Sequence, residues 1–407
     1  MSAVDDTTSA VGPARTEPTA GPDDEAVAVA AVDLRWPEVA RCAEVDPELF
    51  LPEPCQSARA GGSAVGATET PAVGEIHVAG RRLVPSVVFD TYWSFAAARQ
   101  ELYEARQQRP TGPWTTDPVL HRYRFTNCYR AADRVSQFLI RHVSYSGDQE
   151  PAEVVFRTLL FKLFNRIDTW RLLTDELGEP SWAGFDLGRY DRVLGEAFAR
   201  GERLYSAAYV MAPPRLGGAR KHTDHLRLLE LMMTGRVAGR VIDAGSLRGA
   251  FDVLRSYPGI GGFLAYQFAI DLNYSAVLGH DEREFVVAGP GARDGIRKCF
   301  GPAADGIEAD VIRYMAEHQQ EHFTRLGLRF PGLRGRPLQL IDCQNLFCEV
   351  DKYARVVHPD IAGHSGRSRI KQRYRPLPGR VPRGWFPPKW GLDTDPTPGI
   401  DQRGAQP

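Results

Sequence analysis

Between its two ends the chain repeats apolar residues at the three-to-four-residue spacing of helices, with few of the alternating runs that mark strands. This pattern predicts a mostly α protein. Residues 90–107 form one expected helix, capped by Asp90, and residues 126–143 a second, capped by Thr126. Residues 152–166 are apolar almost all round, as a buried central helix would be, and Asp168 starts another. Further helices are expected over 189–200, 223–234, 246–255, 262–272, 291–300, 305–326 and 343–357. No fixed repeat is visible, which argues against a solenoid.

The two ends differ from this middle. Residues 1–75 are rich in Ala, Pro, Gly and acids, the composition of a disordered arm, with a short helix expected at 39–51. Residues 376–407 are Pro-rich and carry Trp385, Phe386 and Trp390, so this tail is expected to lie over the core without regular structure. With 407 residues, 43% hydrophobic and 25% charged, the chain can bury a sizeable core, which excludes collagen-like and wholly disordered readings. It has neither a membrane-spanning run nor a signal peptide, so a cytoplasmic protein with no membrane partner is expected. The six cysteines are too scattered for a secreted disulfide framework, and Cys343 and Cys348 lack a matching second pair, so reduced thiols and no metal or other cofactor are expected.

Charge adds one feature. The formal net charge is −1, yet residues 1–60 hold twelve acids against four arginines, while residues 352–389 hold ten basic residues against one Asp. Arg367, Arg369, Lys371, Arg373 and Arg375 alternate with other residues, a pattern that suits a nucleic-acid backbone or a simply solvated tail.

Tyr257-Pro258-Gly259-Ile260-Gly261-Gly262 lies between two helical patterns, where Pro fixes φ and glycines allow a tight turn that presents backbone N–H groups to an anion. In the form L-x-x-x-P-G-I-G-x-x-x-A, from Leu254 to Ala265, it resembles the helix-hairpin-helix of the DNA glycosylase superfamily. That resemblance implies a glycosylase-like helical fold, DNA phosphate held by the hairpin, and a role for Asp281 at a flipped nucleotide. Phe263 stands near the position of the lyase lysine, so a Schiff base is not expected.

Three further strings narrow the family: Tyr123 to Arg134, Phe161 to Trp170 (FKLFNRIDTW) and Ile341 to Arg355 (IDCQNLFCEVDKYAR). They resemble the α-glutamyl/putrescinyl thymine pyrophosphorylase group, also described as the helical domain attached to 5-hydroxymethyluracil DNA kinases, over about residues 84–375. Its members are associated with thymine hypermodification. On a helix, Asn127, Arg130, Arg134 and Gln137 would share one polar stripe, suited to phosphate clamping or simply solvated. Asn345, Glu349 and Lys352 share a face of the late helix, either as a surface ion pair or, with Gln344, as a base-reading and general-base set. The glycines of residues 288–295 suit a phosphate cradle or a close backbone approach, and no G-x-x-x-x-G-K-[ST] string occurs, so this chain is not expected to be a P-loop kinase. The pairs His318/His322 and His222/His225 read as solvated.

Together these readings give a DNA-binding enzyme. Tyr257, Gly259, Gly261, Gly262, Arg367, Arg369, Lys371 and Arg373 would hold double-stranded DNA, and a flipped pyrimidine would meet Asn127, Arg130, Asp133, Arg134, Asp281, Gln344, Asn345, Glu349 and Lys352. The resemblance implies transfer of an amine or amino acid to an activated 5-hydroxymethyl pyrimidine. The alternatives are a monofunctional DNA base glycosylase and a non-catalytic module that works with a separate DNA-base kinase.

Overall fold

The computed structural model describes residues 73–208, 211–376 and 381–392, all within a unit that begins at Thr68. The expected acidic arm and its helix at 39–51 lie outside the described residues, apart from the last three residues of the arm. Strands β1 (Ile76–Val78) and β2 (Arg81–Leu83) pair antiparallel around Ala79 and Gly80, both at positive φ. Such short strands left little alternation to read.

The rest is helical: α1 (Val87–Gln108), α2 (Pro118–Arg122), α3 (Arg134–Leu139), α4 (Pro151–Phe164), α5 (Ile167–Leu177), α6 (Leu187–Ala199) and α7 (Lys221–Thr234). These are followed by α8 (Val237–Asp243), α9 (Leu247–Arg255), α10 (Gly262–Tyr274), α11 (Pro290–Phe300), α12 (Glu308–Glu317), α13 (Gln319–Arg325) and α14 (Leu340–Val357). None of the described helices is long and apolar enough to cross a membrane.

Two helical groups build the core. In one, α14 packs on α1, α11 and α12; in the other, α4 packs on α5, α7, α8 and α10, with α9 against α10. Both α4 and α10 are buried on nearly every side, which explains their continuous apolar runs. The glycines of residues 288–295 serve close approach. A Cβ on Gly295 would stand 2.2 Å from the Phe347 carbonyl oxygen, and one on Gly291 would stand 3.1 Å from Cys348 Sγ, so α11 can lie directly on α14.

Several expectations are corrected. Ser86, not Asp90, caps α1; Asp90 sits in its first turn and pairs with Arg325. The helix expected over 126–143 is replaced by an irregular segment with a 3-10 turn at Arg130–Ala132, then α3 and a π-helical turn at Ile140–Ser144. Asn127, Arg130, Arg134 and Gln137 therefore do not form a helical stripe. The helix expected over 305–326 breaks at His318 into α12 and α13. His222, His225 and His322 are buried rather than solvated: His322 stacks on Trp93 at 5.2 Å, and His225 meets Tyr205 Oη at 2.7 Å. Burial pulls His225 and His322 down to about 4, so both are neutral core residues near pH 7.

Candidate functional site

The segment from Tyr123 to Asp133 joins the two helical groups through two linked polar centres. Deep in the first, Arg130 is only 5% exposed and Asp271, on α10, is fully buried. The Arg130 guanidinium forks onto the Asp271 carboxylate with bonds of 2.6 and 2.8 Å, and its Nε donates to Gln267 Oε1 at 2.9 Å. Lys162, from α4, pairs with Asp271 at 2.9 Å and donates to Asn165 Oδ1. From α14, Asp342 accepts the Arg130 backbone N–H at 2.8 Å while boxing the Gln339 backbone N–H. Burial alone would raise Asp271, but Arg130 and Lys162 outweigh it and hold the carboxyl below its ordinary range. Each of the three strings singled out in the sequence sends a residue here: Arg130, Lys162 and Asp342. Sequence reading missed Lys162, Gln267, Asp271 and Asp342. The available signal was the single charged residue of the otherwise uncharged α10, Asp271, and a lysine set in the apolar run that ends α4.

The second centre lies nearer the surface. Asn127 donates its backbone N–H to Asp133 Oδ1 at 2.8 Å and its side-chain amide to the Ala132 carbonyl. Arg99, from α1, donates to the Thr126 carbonyl at 2.9 Å and to the Asn127 side-chain oxygen. From α14, Asn345 donates to Thr126 Oγ1 and the Asn127 carbonyl, and Glu349 accepts the Thr126 backbone N–H at 3.0 Å and the Lys352 ammonium at 2.6 Å. Asn127, Asp133, Asn345, Glu349 and Lys352 are therefore brought together as expected, although Asp133 arrives through a loop rather than a helix. Burial pushes Asp133 up to about 7 against the opposing pull of the Asn127 N–H and Arg99. A carboxyl so placed can take up a proton near neutral pH.

Other expected residues sit elsewhere. Arg130 commits its guanidinium to Asp271 and Gln267, so it holds the segment rather than facing a ligand. Arg134 is exposed at the start of α3. Gln344 is buried and donates to Cys348 Sγ, away from the Thr126 cluster. Asp281 lies on an exposed turn, where Oδ1 accepts the Arg283 N–H; the acid turned inward is its neighbour Glu282, paired with Arg336 at 2.8 Å. Burial raises Glu282 to about 7 and Asp342 to about 6.

Beside the second centre runs a basic edge. Arg373 bridges antiparallel to Tyr123, and the Arg124 N–H donates to the Gln372 carbonyl, two residues before Thr126. Arg122, Arg124, Arg367, Arg369, Lys371, Arg373 and Arg375 are all exposed. At the α9–α10 turn, Gly259 has φ +76°, Gly261 precedes α10 with no side chain capping it, and Gly261 has open space where a Cβ would stand. Tyr257 is buried and accepts a hydrogen bond from Arg240, so it supports this turn from inside. Among the described residues no cluster of three His, Cys, Asp or Glu side chains could hold a metal ion.

Comparison with known proteins gives three findings. The chain is similar to the 5-hmdU DNA kinase of Bacillus phage SP10, 25% identical over an alignment of 288 residues that covers 65% of this chain and 45% of that protein. The chain thus spans less than half the length of this relative. No solved structure matches it. The sequence profile described as "5-hmdU DNA kinase, helical domain" matches residues 86–363, more than half of the chain and every residue of both polar centres. The chain belongs to the family of 5-hmdU DNA kinase helical domains.

Proposed function

We propose that this chain binds double-stranded DNA and acts on a 5-hydroxymethyl pyrimidine flipped from it, transferring an amine or amino acid onto the activated base. The observation that carries this reading is the meeting of three distant strings, in a chain of this family, at paired polar centres beside a basic edge. DNA phosphates would lie on Arg367, Arg369, Lys371 and Arg373, and on a helix-hairpin-helix formed by α9, the Gly259–Gly262 turn and α10.

The base would reach Asn127, Asn345 and Lys352, with Asp133 as the proton acceptor. In the reaction, the incoming amine gives a proton to Asp133 and its lone pair forms a C–N bond to the 5-methylene carbon. The C–O bond to phosphate or pyrophosphate breaks, and Arg134 and Lys352 stabilise the departing anion. Glu349 would hold Lys352 in place. Activation of the hydroxymethyl group belongs in this scheme to a DNA-base kinase acting before this chain, since no P-loop string occurs among the 407 residues.

The test is nucleoside mass spectrometry of DNA carrying phosphorylated 5-hydroxymethyluracil, incubated with the protein and a mixture of amines. A mass gain on the pyrimidine is the expected result. Abasic sites would replace this reading with base excision. DNA that binds but stays unchanged would leave a module that presents sites to the kinase.

A further inference from the structure

A short stretch of chain beyond the family-matched residues lies directly over the buried charges. Residues 381–392 follow the basic edge and have no regular structure apart from a 3-10 turn at Pro388–Trp390. Side chains at separate points hold them down. Phe386 is 1% exposed, the Trp385 N–H donates to Gln137, and Arg334 donates to the Gly384 carbonyl. Lys389 is exposed as a whole residue, yet its ammonium donates to the carbonyls of Asn273, Ser275 and Leu278, at and just past the end of α10. The Asn273 carbonyl lies in the last turn of α10 and that of Ser275 at its C-cap, at the negative end of the helix dipole, which favours a cation.

Trp390 closes the other side. Its ring stands edge-on to Tyr274 at 5.4 Å and lies beneath the Arg336 guanidinium at 4.0 Å. Tyr274 in turn faces Arg130, and Arg336 pairs with Glu282. The Tyr266 hydroxyl, close enough to Glu282 to feel its charge, is fully buried and has no hydrogen-bond partner. A buried hydroxyl without a partner and a buried carboxyl are costly to keep dry, which fits a centre that is closed now and opened in use.

We propose that residues 381–392 are a strap that shuts the centre around Glu282 and Tyr266, pegged by Lys389 at the end of α10 and by Trp390 between Tyr274 and Arg336. Lifting the strap, rather than moving the helices, opens the centre. The strap lies outside the residues that the family profile matches. The proposal does not depend on the transfer reaction above.

The experiment is carbodiimide-driven coupling of glycine ethyl ester to carboxyls of the full chain, followed by peptide mass spectrometry. In the unaltered protein Glu282 and Asp271 should both be protected. In Lys389→Ala and in Trp390→Ala, Glu282 should be labelled about tenfold faster, as expected when one local closing contact is lost, while Asp271 stays protected. Lys389→Arg, which keeps the cation, should restore protection. Unchanged labelling of Glu282 in both alanine variants would overturn the proposal, and so would labelling of Asp271 together with Glu282, since the segment would then be part of the core rather than a cover.

Discussion

Asp271, Arg130 and Lys162 leave water together, and their mutual pairing is what offsets the loss of hydration. Asp271→Asn would strand two buried cations, and its cost should be on the order of 3–5 kcal/mol in urea unfolding. Loss below about 1 kcal/mol would mean that solvent reaches the pair. The raised carboxyls make a second prediction. Asp133 and Glu282 at about 7, and Asp342 at about 6, lie above the ordinary 3.8 to 4.5, so between those values the folded protein binds more protons than the unfolded chain. Their contribution to stability is therefore full below the unfolded values and is lost as pH rises through the folded ones. Below about pH 6.5 the buried His225 and His322, held at about 4, oppose this trend, so the melting temperature should fall between about pH 6.5 and about pH 8, and Glu282→Gln should flatten the fall; a melting temperature that rises over this window would contradict the burial of these carboxyls.

Among the helices, α11 and α14 depend most visibly on glycine. Gly295→Ala would drive a Cβ into the Phe347 carbonyl, 2.2 Å away, where backbone must move. The expected cost is about 1–3 kcal/mol, as for other overpacked sites. Gly239→Ala, inside α8 with open space around its Cβ position, should instead stabilise the protein by about 0.5–1 kcal/mol. Chemical denaturation of the two variants checks both signs. The contrast shows what periodicity can tell. Long helices such as α4 and α10 were legible because burial writes a continuous apolar run, whereas α8 is only seven residues long and was not. The 126–143 stretch carries helix-like spacing, yet Asn127 and Thr126 are satisfied by partners from α1 and α14, so tertiary hydrogen bonds replace the intrahelical ladder. Isolated pattern cannot reveal such distant partners.

Across the whole molecule, the basic edge pairs with the chain at Arg122–Arg124, just ahead of the Thr126 centre. Neutralising Arg369, Lys371 and Arg373 together should weaken binding to duplexes of any sequence and reduce the slope of log affinity against log salt by about 2–3. An unchanged slope, measured by fluorescence anisotropy, would remove this edge from the interface. The site was half legible. Asn345, Glu349 and Lys352 could be named from residue type and local spacing, because an amide, a carboxylate and a rare lysine share one helix face, whereas Asn127 rests on a helical stripe that the fold does not form and Asp133 only on a family-like string. Asp271 and Glu282 could not, since only the fold carries α10 past Arg130 and turns Glu282, instead of Asp281, toward Arg336.

The central claim, that these centres modify a pyrimidine in DNA, is tested most directly by comparing the unaltered protein with Asp133→Asn in nucleoside mass spectrometry. The substrate is duplex DNA carrying phosphorylated 5-hydroxymethyluracil, supplied with amines. The account predicts a mass gain on the pyrimidine that Asp133→Asn slows by about 10²–10⁴-fold while duplex affinity stays the same. Full activity in Asp133→Asn, or no change of mass with the unaltered protein, would contradict it.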